Sequence, residues 1–136
     1  MSSSVTELAE ALLALSVHSW RQFSSQTAEV TESEFLALDH LSQKGVCTVG
    51  SIREEINVLP AQMSRIIRRL EEAGYITTAI NAGDKRKVDV KMTADGGRVY
   101  RKYRKAKLDP LVHALDRLTP AQQRQFMELV QLMSEG

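Results

Sequence analysis

The stretch PAQMSRIIRRLEEA, Pro60 to Ala73, followed at once by Gly74 and two alternating runs, constrains the fold more than any other part of the chain. At about 100° per residue, Met63, Ile66, Ile67 and Leu70 gather on one side of a helix. Ala61, Arg65, Arg68 and Glu72 point the other way, with Gln62, Ser64 and Arg69 on the flanks. Pro60 suits a first helical position, because its fixed φ and missing N–H cost nothing there. Gly74 suits the left-handed residue that ends a helix. Beyond it, YITTAI and KVDVKM alternate on either side of Asn81, Gly83 and Asp84, which supply turn chemistry, so a hairpin follows the helix directly.

The rest of the chain reads as helices. Leu8, Leu12, Leu13, Leu15 and Val17 recur at three- and four-residue steps between about Val5 and Phe23. TESEFLALDHL opens with Thr31 and Glu34 at capping-box spacing, then places Phe35, Leu38 and Leu41 on one face. Gly45 stops that helix, VCTV gives a brief extended stretch, and a short helix precedes the break at NVLP. After the hairpin, Thr93 begins a long helix to about Leu115, which Pro110 is expected to kink or interrupt. TPAQQRQFMELVQLM supplies a last amphipathic helix, with Thr119 as N-cap, Pro120 at N1 and Gln122 at the capping-box position.

A length of 136 residues sets one domain. Its fold class is mostly α with a small β-hairpin wing, an α+β arrangement in the layout of a winged helix-turn-helix. The lobe covers 31–97, and the helical regions 1–25 and 98–136 carry more apolar helical surface than one small core requires. Such faces suit a dimer interface between helices; the alternative is that they complete a monomer core.

The net charge of +1 conceals a division along the chain. From Arg53 to Lys107 there are fourteen Lys and Arg against seven Asp and Glu, while the remainder has four against ten. A basic middle between acidic ends suggests a surface that faces a polyanion. Lys85, Arg86 and Lys87 stand side by side at the hairpin tip, and phosphates opposite them relieve their mutual repulsion. A major groove admits one helix, and the small Ala61 beside Gln62 and Arg65 lets the backbone approach base edges. Gln pairs with adenine and Arg with guanine, whereas Ser64 bonds a base or a phosphate. Arg68 and Arg69 extend the cationic surface, and a basic tip after such a helix reaches the adjacent minor groove. The competing reading is a face that is merely solvated.

The run from Thr31 to Gly97 resembles the MarR family of winged-helix transcriptional regulators. TESEFLALDHL, PAQMSRIIRRLEEAGYI and above all DKRKVDVKMTADGG carry the resemblance, the last being similar to the family's wing signature. The resemblance implies a homodimer whose terminal helices interlock and whose two lobes bind a pseudo-palindromic operator in double-stranded DNA, most often as a repressor. It also implies base or phosphate contacts by Gln62, Ser64 and Arg65, a minor-groove role for Arg86, and a loop-holding role for Asp84. Leu59 stands where the family often has a polar N-cap, and Met92 replaces its usual Leu. Release by a small aromatic effector is a further implication, with His18, Trp20 and His40 near the expected pocket.

Other chemistry finds little support in the residues. His18, His40 and His113 are scattered, and neither a Gly-rich phosphate loop nor a nucleophile signature occurs, so no enzyme, catalytic residue, cofactor or metal is expected. The single cysteine, Cys47, excludes an internal disulfide and reads as a small apolar residue before a redox switch. ALLALSV follows Glu7 and Glu10, which fits neither a signal peptide nor a membrane span, so a cytoplasmic protein is expected. The alternative function from another class is a winged-helix protein-interaction module whose basic tip meets an acidic partner.

Overall fold

The computed structural model describes residues 3–23 and 29–135; positions 1, 2, 24, 25 and 136 of the expected dimerisation region lie outside them. Two compact units emerge, one of Gln26–Arg104 and one of Met1–Ser25 with Lys105–Gly136.

The first unit begins with α2 (Glu32–Lys44), opened by the capping box that Thr31 and Glu34 form reciprocally. Then come β1 (Cys47–Thr48), α3 (Val49–Ile56) and α4 (Pro60–Glu72), with Asn57 taking a left-handed conformation between the two helices. The hairpin strands β2 (Ile76–Ile80) and β3 (Val88–Met92) pair antiparallel in the register Thr78↔Val90. The brief extended stretch at Cys47 and Thr48 adds to β3's other edge, so the sheet order is β1-β3-β2.

One core joins these elements. Leu38 and Leu41 of α2, Ile52 of α3, Met63 and Leu70 of α4, Ile76 and Val90 of the sheet and Val99 of α5 (Ala94–Leu115) are all buried. Each large aliphatic side chain so placed contributes roughly 1.5–3 kcal/mol. Phe35 stacks on Tyr100 and Tyr103 at 5.4 and 4.5 Å between ring centroids, tying α2 to α5. At the start of α5, Thr93 Oγ1 donates to the Gly74 carbonyl and accepts from the Gly96 N–H.

The second unit contains α1 (Ser3–Gln22), the later turns of α5, and α6 (Pro120–Ser134), which the Thr119–Gln122 capping box opens. Of the two outcomes expected at Pro110, an interruption is not found: α5 runs through it to Leu115. The missing donor lies opposite the Ala106 carbonyl, in a turn still partly open to water, so the loss stays local. No residue of α6 is buried, and Leu8, Leu13, Leu129, Leu132 and Met133 are exposed in the single chain. Those apolar faces therefore do not complete a monomer core.

Candidate nucleic-acid interface

Helix α4 owes its two faces to the spacing of its residues. Met63, Ile66 and Leu70 are buried, Ile67 is half-buried, and Ala61, Ser64, Arg65 and Arg68 are exposed, with Gln62 half-buried at the margin. Its N-cap, Leu59, offers no side-chain hydrogen bond, as expected of an apolar residue there. The donors of the first turn are thus left to solvent or to a ligand. Arg69 behaves differently from its neighbours. Its Nε lies 3.2 Å from Oε2 of Glu34, and the Glu34 side chain is only 3% exposed against 62% for Arg69.

The wing loop, 81–87, is closed by its own hydrogen bonds. Asn81 N–H donates to the Lys87 carbonyl and Lys87 N–H to the Asp84 carbonyl. Asn81 Oδ1 accepts from the N–H groups of Gly83 and Asp84, while its Nδ2 donates to Asp89. Asp84 accepts from the backbone N–H, Nε and Nη2 of Arg86 at 3.0, 3.1 and 3.3 Å. The Arg86 guanidinium, and then its backbone N–H, hold the Asp84 carboxyl below the usual carboxylate range. Lys85, Arg86 and Lys87 are all exposed, Arg86 by 91% of its side chain. Asp84 therefore neutralises one charge of the three and orients its bearer.

A cleft of about 610 Å³ separates the wing from the first turn of α3, lined by Thr48, Gly50, Ser51, Glu54, Arg86 and Lys87 among others. The Thr48 side chain caps α3 by accepting from Ser51 N–H. This turn was not singled out from the sequence, although the Thr48 to Ser51 spacing is a capping signal. Arg65, Arg68, the wing cations and this turn all belong to one compact unit. Such a surface suits a polyanion, with the helix margin supplying hydrogen-bonding groups.

The remaining candidates are dispersed. His18 contacts Gln22 at 2.8 Å on α1, and Trp20 is exposed there, both in the second unit. His40, in the first unit, lies 3.4 Å from Ser51 Oγ and lines a cavity of about 180 Å³ with Leu36, Asp39, Gln43, Glu55 and Ile56. His113 is exposed on α5. Among the described residues no cluster of three or more His, Cys, Asp and Glu is gathered as a metal needs, and no helix is long and apolar enough to cross a membrane. Burial pushes the Cys47 thiol up, against the thiolate that a redox switch requires.

The MarR family profile matches residues 30–88. An HTH-type transcriptional repressor of Mycobacterium tuberculosis is 26% identical over 102 residues, which cover 75% of this chain and 73% of the relative. A MarR family transcriptional regulator of Streptomyces coelicolor, solved in complex with DNA, superposes with a TM-score of 0.69 at 24% identity over 98% of this chain and 88% of its own. NadR, solved with 4-hydroxyphenylacetate, gives 0.71 at 21% identity over 99% of this chain and 92% of its own. The two structural likenesses establish the fold.

Proposed function

Because residues 30–88 match the MarR family profile, we propose that this chain is a homodimeric transcriptional regulator that binds double-stranded DNA by sequence. In this reading α4 enters a major groove, where Ala61 permits close approach, Gln62, Ser64 and Arg65 meet base edges, and Arg68 meets phosphate. Lys85, Arg86 and Lys87 address the neighbouring minor groove, with Asp84 orienting Arg86. The observation that carries the proposal is the coexistence, in one lobe, of an apolar-backed helix face bearing Arg65 and Arg68 and a hydrogen-bonded loop bearing three exposed cations.

Two lobes related by a dimer axis require a pseudo-palindromic operator. The protein acts in the cytoplasm as a repressor, in keeping with its mycobacterial relative's name. A small aromatic effector releases it, as the ligand in NadR suggests.

Titration of the purified protein against a mixed-sequence duplex at several salt concentrations is the first test. The log–log slope is expected to be near −0.9 for each phosphate neutralised. Selection of sites from random duplexes should then recover half-sites about one helical turn apart. Absence of duplex binding at low salt sinks the proposal and favours an acidic protein partner.

A further inference from the structure

The two capping boxes of this chain differ by one charge. At α6, Gln122 Oε1 accepts the Thr119 N–H at 2.9 Å and Thr119 Oγ1 accepts the Gln122 N–H at 3.2 Å. At α2 the same reciprocal pair is made by Thr31 and Glu34, at 2.7 and 3.2 Å. An amide therefore closes the box as a carboxylate does, so the cap's hydrogen bonds do not themselves require a charge at position 34, although the N-terminus of α2 favours a negative one. Burying that charge is unfavourable unless a cation meets it. Arg69 is the cation, through the Nε contact to Glu34 Oε2. One carboxylate oxygen thus completes the cap of α2 while the other holds an arginine of α4.

Arg69 lies four residues beyond Arg65, on the same row of the helix. An arginine on that row, free to extend, adds sequence-independent attraction to phosphate. Such attraction supplies essentially all of the non-specific binding of a DNA-binding protein. We propose that Glu34 is a specificity-determining residue: its buried carboxylate withholds Arg69 from the duplex and leaves Arg65 and Arg68 as the arginines of α4 available to it. The inference rests on the DNA-binding function proposed above. It assigns to a buried residue of α2, which touches no nucleic acid itself, control over the balance between specific and background binding.

The test uses the full chain and a mixed-sequence duplex of about 30 base pairs, read by fluorescence anisotropy across a salt series. Glu34→Gln keeps the Thr31 box and frees Arg69. It should steepen the salt slope by about 0.9 per lobe and raise mixed-duplex affinity roughly tenfold per lobe at about 0.1 M salt. Preference for the best duplex selected by the wild-type protein should fall accordingly. Glu34→Gln combined with Arg69→Gln should return the slope to the wild-type value, because the wild-type protein already keeps Arg69 from phosphate. A Glu34→Gln slope equal to wild type, or a double variant whose slope is shallower than wild type, overturns the inference. If Glu34→Gln alone does not fold, the double variant, in which a neutral pair replaces the ion pair, still decides by the same comparison. Wild-type protein that binds no duplex overturns the function itself, and that result appears before any variant is compared.

Discussion

Gly96 has less room for a methyl group than any other described glycine. A Cβ there lies 2.1 Å from the Tyr75 carbonyl oxygen and 2.9 Å from its carbon, so the start of α5 and the entry to β2 must move apart. At Gly97 the nearest obstacle is the flexible end of Arg101, at 3.1 Å. Gly96→Ala should therefore destabilise the protein by about 1–3 kcal/mol, whereas Gly97→Ala should be close to neutral, since alanine favours the helix by about 1 kcal/mol. Urea unfolding of the pair checks this, and equal midpoints would refute the close-approach argument. Arg86 presents the opposite situation, an exposed side chain whose partner within the fold is the adjacent Asp84. Arg86→Ala should leave the melting temperature and the dimer unchanged. Its effect should fall on duplex affinity, weakened across sequences with a salt slope shallower by about 0.9 per lobe. Unchanged affinity in the same isotherms would remove Arg86 from the interface.

Among elements, those whose determinants lie within a few residues of one another were legible in the sequence. Thr31 with Glu34, Thr119 with Gln122, and the break at Asn57 to Pro60 each encode a helix boundary locally, and each boundary is found there. Pairings between distant positions left no such signal. Cys47 opposite Val90, and Glu34 beside Arg69, arise only when the lobe closes. At Pro110 the local penalty does not end the helix, because the turns on either side keep α5 continuous. Glu29 is another product of closure, accepting from Tyr75 Oη at 2.9 Å, Arg98 Nη2 at 3.2 Å and Lys102 Nζ at 3.3 Å. Arg98 first, then Tyr75 and Lys102, lower its pKa from 4.5 to about 2. A carboxylate with a depressed folded-state pKa stabilises the fold above its unfolded value, and that contribution disappears as pH falls through the folded one. Thermal melts of wild type and Glu29→Gln should therefore differ at pH 6 and converge between pH 4.5 and about 2. A constant difference across that window would show that the carboxylate charge is irrelevant to the clamp.

At the scale of the whole molecule, the two units are built on different terms. The lobe buries an aliphatic core of its own, Leu38, Ile52, Leu70 and Val90 among it, whereas α6 buries no residue and α1 and α6 expose Leu8, Leu13, Leu132 and Met133. Exposed apolar side chains recurring along two helices of one unit suit an interaction surface. The spare periodicity of the terminal helices was visible in the sequence, but what covers it was not, because period alone does not say whether the cover comes from the same chain. Exposure in the single chain favours a second copy, and a two-fold pair gives two lobes in the symmetry that a palindromic site requires. Leu8→Glu combined with Leu132→Glu tests this at positions 62% and 68% exposed, where added charge should disturb no contact within the chain. Light scattering should then fall from twice 15.2 kDa to 15.2 kDa, with the helical circular dichroism of the lobe retained. Binding to the selected site should weaken by roughly 10²–10⁴, since each half-site is then held without the effective concentration that linkage provides. A variant that keeps the doubled mass would place the dimer interface elsewhere. A variant that becomes monomeric yet binds the full site undiminished would separate dimerisation from recognition.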